Sequence, residues 1–294
     1  MGVFYMVESV NDNDILVQVA QLQGYSGCKI LLMESNARTF VRKSSKNAEY
    51  NPRLMDQMAK LVELSSLGIS TPKIFGSGIE DEKFYFDMEY IRNIGLSKYI
   101  FGASFFRLED IIDSLFRCLS LLIDQQSGFV GPELFRRKMD ELKSDQRIVN
   151  NRYFSDVLSE LEEYDWGKIP FSPCHGDLTL ENILVTDSGL VWIDTLDSFA
   201  NSWLIDLAKV YQDPLIWWSY RNGAIDRSMQ TRLGLLLELL NNKKRELGLS
   251  EYQNDALRHL IMLNTLRIIP YCQTREHSQF LIDSMKFIAD SESI

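Results

Sequence analysis

The sequence predicts an α+β chain of two lobes, a small β-rich one over residues 1–92 and a large helical one over 93–294. Short apolar and β-branched runs, punctuated by glycine, crowd the first ninety residues. Beyond Leu96, apolar residues recur at spacings of three and four, as amphipathic helices require. One stretch interrupts those helices. The polar loop Cys174–Asn182 runs into Ile183-Leu184-Val185, turns at Asp187-Ser188-Gly189 and returns as Leu190-Val191-Trp192-Ile193-Asp194, which reads as a β-hairpin.

Taken in order, Ile15–Val17 and Ile30–Met33 are strand-like and flank Gln23-Gly24-Tyr25-Ser26-Gly27. Glycine lets a backbone approach phosphate closely, so Gly24, Ser26 and Gly27 are candidates for a nucleotide-covering loop, although a plain hairpin turn has the same pattern. Thr39-Phe40-Val41-Arg42-Lys43 is a short strand, in which Val41 and Lys43 share one face and Arg42 takes the other. Residues 53–67 form a helix with Leu54, Met58, Leu61 and Leu64 as its stripe. Lys73–Phe75 and Lys83–Phe86 read as strands around a Gly76-Ser77-Gly78 turn, and the second leads into Asp87-Met88-Glu89-Tyr90-Ile91. Helical patterns follow through Ile111–Leu119, Phe154–Tyr164, Leu204–Val210, Met229–Leu247, Tyr252–Ile269 and Gln279–Ala289, whereas Arg147–Phe154 is polar and without a clear period.

Composition narrows the function. A formal net charge of −10 argues against nucleic acid, whose phosphates such a chain repels. Cys28, Cys118, Cys174 and Cys272 are far apart, and His175, His259 and His277 are scattered, so neither a zinc site nor a disulfide framework is expected. No leader pattern opens the chain, no apolar run reaches the length of a membrane span, and Met6 stands where a myristoylation signal needs Ser or Thr. A cytoplasmic location is the expectation, with no membrane partner.

The loop carries the chemistry. His175-Gly176-Asp177, then Asn182 after four residues, then Ile193-Asp194, resembles the aminoglycoside phosphotransferase and choline kinase family. That resemblance implies a two-lobed protein-kinase-like fold and transfer of phosphate from ATP with Mg²⁺. By it, Asp177 is the catalytic base, and Asn182 and Asp194 are metal ligands of the hard-oxygen type that Mg²⁺ takes. Lys43 pairs with the phosphates and Val41 lies against the adenine. Met88, Glu89 and Ile91 form the hinge, where Glu89 C=O and Ile91 N–H read the adenine edge. His175 holds the loop by hydrogen bonds and Asp206 braces it. One departure stands out. The partner of Lys43 is expected to be a Glu, but the position falls on Gln57, an amide that accepts a hydrogen bond without neutralising the ammonium; Glu49 and Glu63 are the other candidates.

Only eleven residues separate Asp194 from Asp206, too few for the activation segment of a protein kinase. A small-molecule acceptor is therefore expected: an amino alcohol, a sugar or a polyol. Antibiotic modification and a catalytically weak nucleotide-binding scaffold are the alternatives. Trp217, Trp218 and Tyr220 form an aromatic cluster with two readings, acceptor pocket or core.

Overall fold

The computed structural model describes residues 17–22, 27–36, 38–220, 225–272 and 274–290. The described chain divides into two compact units. One runs to Asn93 and takes in Val191–Asp197; the other holds Ile94–Leu190 and the residues from Ser198 onward.

The first unit is a five-stranded antiparallel sheet, with order β1-β2-β3-β5-β4. Its strands are β1 (Val17–Leu22), β2 (Lys29–Glu34), β3 (Thr39–Ser44), β4 (Ile74–Glu80) and β5 (Lys83–Glu89). Helix α1 (Asn51–Ser66) joins β3 to β4 and has Pro52 in its first turn, where a missing N–H costs no helical bond. Alternation along the strands sends Phe84 and Phe86 toward Leu54 and Leu61 of α1, with Cys28 beside them; Leu31, Met33 and Phe40 make a second cluster against Phe75.

The glycines at 76–78 do not form the expected turn. β4 continues through them, and the reversal is made by Asp81 and Glu82, whose φ values of +48° and +63° match the right-handed strand twist of a tight hairpin. Gly78 serves the strand instead. A Cβ on Gly78 would stand 2.9 Å from the Tyr85 hydroxyl, and the register shifts between Ile74 and Gly76.

The second unit is helical, apart from β6 (Ile94–Gly95), which pairs antiparallel with β7 (Ile183–Thr186), and the start of β8 (Gly189–Trp192). Its helices are α2 (Leu96–Tyr99), α3 (Phe105–Ile123), α4 (Pro132–Lys143), α5 (Gln146–Val149), α6 (Arg152–Glu163), α7 (Trp203–Ile216), α8 (Arg227–Leu247), α9 (Glu251–Leu266) and α10 (Arg275–Asp290). Side-chain caps set several starts: Ser104 for α3, Asn151 for α6, Asp226 for α8 and a Ser250–Gln253 capping box for α9. The polar stretch 147–154 resolves into the short α5, the Asn151 cap and the first turn of α6. All fourteen residues of α7 are buried, and α9 and α8 pack against it.

Leu54 is fully buried between α1 and the sheet. Leu54→Ala is expected to cost about 2–5 kcal/mol, the usual range for an emptied core site. The shift in urea midpoint, at unchanged slope, measures it.

Candidate active site

Two constellations of polar side chains are built, one in each unit. In the first, the alternation of β3 turns Lys43 inward, where only 2% of it is exposed. Its ammonium donates to Gln57 Oε1 of α1 at 2.9 Å and to Asp194 Oδ1. Gln57 is thus the α1 partner, while Glu49 and Glu63 are exposed. Arg42, on the opposite face of β3, is fully engaged. It grips Asp87 with two bonds of 2.7 and 2.8 Å and stacks on Tyr85, 4.1 Å from the ring centre. The Asp87 bond raises the Arg42 pKa above its usual value, against the opposing effect of burial. Arg42 therefore clamps β3 to β5.

Val191–Asp197 is sewn onto α1. Trp192 N–H donates to Ser70 C=O at 2.9 Å, Thr195 Oγ1 to Gln57 C=O at 2.7 Å, and Lys60 Nζ to Leu196 C=O at 3.1 Å. This places Asp194 beside Lys43 with φ +58°, a left-handed conformation uncommon outside glycine and concentrated at functional sites. On β3 and β5, Val41 and Met88 are directly paired; Glu89 ends β5, with its N–H donating to Lys73 C=O at 2.8 Å, and Ile91 follows two residues on. Gly27 has φ +76°, and Gly24 and Ser26 lie outside the described residues.

In the second unit, α7 shapes the loop. Asp206, fully buried, accepts from His175 N–H at 2.6 Å and Gly176 N–H at 2.7 Å. Two turns on, Asp213 accepts from Leu180 N–H at 2.7 Å and Ser219 N–H at 2.8 Å. Between them on the same helical face is Lys209, 3.1 Å from Asp177 Oδ1 and 3.2 Å from Gln212 Oε1. The buried His175 ring accepts from Asp177 N–H at 3.2 Å, so this histidine organises the loop from within. Burial disfavours charge on Asp177, but Lys209, with help from His175 and Arg267, outweighs it and holds the carboxyl below the usual range. Burial lowers the Lys209 pKa, which the Asp177 carboxylate partly offsets.

Asn182 Nδ2 donates to Asp177 C=O at 2.8 Å and stands 3.4 Å from Asp177 Oδ2. Its amide nitrogen thus faces the loop and its Oδ1 is left for another donor or a cation. Among the described residues no three His, Cys, Asp or Glu side chains form a metal cage. Taken each within its own unit, the amide oxygen of Asn182 and the half-exposed carboxylate of Asp194 are oxygen donors of the type Mg²⁺ takes.

The phosphotransferase enzyme family matches residues 19–233. The chain belongs to the phosphotransferase enzyme family. Its reaction class is therefore that of a small-molecule kinase. Solved structures share the two-lobed kinase-like fold of this family. A thermostable mutant of aminoglycoside phosphotransferase APH(4)-Ia, in ternary complex with ADP and hygromycin B, aligns at 12% identity with TM-score 0.63, over 94% of this chain and 95% of that one. Amicoumacin kinase, in complex with AMP-PNP and Ca²⁺, aligns at 12% identity with TM-score 0.60, over 94% and 88%. Aminoglycoside phosphotransferase APH(3'')-Id from Streptomyces rimosus, with ADP and streptomycin, aligns at 16% identity with TM-score 0.53, over 83% and 93%. No curated protein sequence matches the chain.

Lys209 and Asp213 have no role in the motif, yet the sequence carries a signal for them. Charged residues at positions 206, 209 and 213 recur on one face of an otherwise apolar segment, and buried charges need partners. Asp206→Asn is expected to lose one of the two backbone anchors and cost about 1.5–3 kcal/mol, the scale of a hydrogen bond to a charged group. A thermal melt beside the unchanged chain measures that loss.

Proposed function

We propose that this member of the family transfers the γ-phosphate of ATP, with Mg²⁺, to a hydroxyl of a small molecule: an amino alcohol, a sugar or a polyol. The observation that carries the reading is the Asp177 carboxylate, kept ionised beside Lys209 while Asn182 points its amide nitrogen at the same loop. Lys43, buried and cationic, is assigned to the phosphates, with Gln57 orienting it. The nucleotide-binding part is residues 1–92, with Gly24, Ser26 and Gly27 over the phosphates, Val41 and Met88 against the adenine, and Glu89 and Ile91 presenting main-chain groups to its edge. The catalytic and acceptor-binding part is residues 93–294. Asn182 and Asp194 are assigned as ligands of Mg²⁺, which supplies charge neutralisation on phosphate oxygens when bound.

Asp177 accepts the proton of the acceptor hydroxyl and orients that oxygen for attack. The backbone bonds to Asp206 and Asp213 keep the loop rigid while this happens, so little reorganisation is left to the reaction. For the acceptor we assign a cavity of about 340 Å³ in the second unit, walled by Trp217, Tyr220, His277 and Phe280, with Ile216 and Thr274. Trp217 is held there in the left-handed region at φ +54°. Asp213 joins this wall to the loop, accepting from Ser219 N–H at 2.8 Å and from Leu180 N–H at 2.7 Å, and burial with the nearby carboxylates of Asp213 and Glu181 raises the Tyr220 pKa. Trp218 stacks on His277, with ring centres 6.3 Å apart. Aromatic walls with few polar groups suit a small ring or an alkylammonium group.

A panel of amino alcohols, sugars, polyols and aminoglycosides, assayed for ADP release, tests the acceptor class. Turnover on aminoglycosides alone would replace this reading with antibiotic modification, and ATP binding without turnover on any acceptor would favour a scaffold. With the acceptor in hand, Asp177→Asn should lower kcat at least about a hundredfold while ATP affinity holds. Lys43→Ala should instead raise the KM for ATP about tenfold or more, the scale of a lost charge-assisted bond. Removal of divalent cations by chelation should abolish turnover, with recovery on adding Mg²⁺.

A further inference from the structure

Resting on the assignment of Asp177 as base, we propose that Lys209 is a positioning residue that commits Asp177 Oδ1 and leaves Oδ2 as the oxygen that receives the hydroxyl proton. The geometry separates the two carboxylate oxygens. Oδ1 lies 3.1 Å from Lys209 Nζ, on the α7 side, and Oδ2 lies toward Asn182 at 3.4 Å, too long for a strong bond. A carboxylate bound at one oxygen cannot turn freely about its last torsion. The basic lone pair is thereby held on the same side as the amide of the metal-ligand candidate.

Lys209 is itself fixed. It rises from a helix buried along its whole length, it is 8% exposed, and Gln212, one turn on, accepts a second ammonium bond at 3.2 Å. An ammonium in such a place loses its hydration, and an apolar side chain of similar volume would fill the same space without that penalty. Asp206 and Asp213 already anchor the loop backbone on either side, at His175, Gly176 and Leu180. The loop therefore does not need Lys209 to hold its path. What Lys209 adds is control of one side chain, Asp177.

The reaction keeps its balance with Lys209 cationic throughout. The acceptor O–H bond breaks as its proton passes to Asp177 Oδ2, the acceptor oxygen bonds to phosphorus, and the bond to the leaving ADP oxygen breaks with its electron pair. Lys209 transfers no proton. Its charge offsets that of the carboxylate before transfer, and its bond to Oδ1 preserves the orientation afterwards.

The experiment is a double-mutant cycle of Lys209→Met and Asp177→Asn, with kcat and KM measured on the acceptor found in the panel. Lys209→Met is expected to lower kcat about 10–100-fold, the scale of a lost charge-assisted bond, while the KM for ATP stays within about twofold. In the Asp177→Asn background the same change should have almost no further effect, because its target is already gone. Lys209→Arg should recover part of the loss, and Gln212→Leu should reproduce a fraction of it. Equal losses from Lys209→Met in both backgrounds would overturn the proposal, as would a loss confined to thermal stability. If Lys209→Met does not fold, the cycle is run with Lys209→Gln and the same outcomes decide. An Asp177→Asn variant with normal kcat removes the base assignment itself, which keeps the two failures apart.

Discussion

The buried carboxylate of Asp206 is the constraint on which the second unit depends. A charge with no exposure is tolerable only when its oxygens are filled, and here backbone N–H groups of His175 and Gly176 supply bonds of 2.6 and 2.7 Å. The helix that carries it must be buried for the loop to be reached, and the loop must be bent for its N–H groups to converge. Each requirement enforces the other. Asp213 repeats the arrangement two turns along, so a single helix face fixes the loop at His175, Gly176 and Leu180 as well as Ser219 beyond the helix.

The first unit follows a different rule. Its polar group is a cation, Lys43, placed by strand alternation and met by partners from two directions, α1 and the Val191–Asp197 segment. Arg42, its neighbour in sequence, is directed by the same alternation into a planar clamp on Asp87. Two adjacent cations thus do unrelated work. One holds strands together, and the other, assigned to the phosphates in the proposed function, has an amide and one carboxylate beside it.

Much of this was legible in the sequence. The hairpin, the Lys43 face and the helix at 53–67 are set by local periodicity, and the structure forms α1 at Asn51–Ser66 and β3 at Thr39–Ser44. The turn after Ile74 was not legible, because Gly76-Ser77-Gly78 looks like a reversal until the Tyr85 ring is seen to need the space over Gly78. Asp81 and Glu82 adopt left-handed conformations that their own chemistry does not advertise. Helix α4 was also missed; a stripe of Phe135, Met139 and Leu142 in a polar segment is thin evidence on its own. The partners of Lys209 were out of reach for another reason: Asp177 lies thirty-two positions earlier in the chain, and only packing of α7 against the loop joins them.

The amide at position 57 has a consequence for how charge moves when ligands arrive. Since α1 offers Lys43 the amide of Gln57 rather than Asp56 or Glu63, the carboxylate bonded to Lys43 among the described residues is Asp194, the same group proposed for the metal. The protein is its own counter-ion pair at rest. On the proposed assignment, an anionic phosphate beside Lys43 and a divalent cation beside Asp194 would exchange partners with this pair, so that the buried ammonium leaves one opposite charge for another. That exchange would tie the two arrivals together, since each ligand would free the group that the other requires.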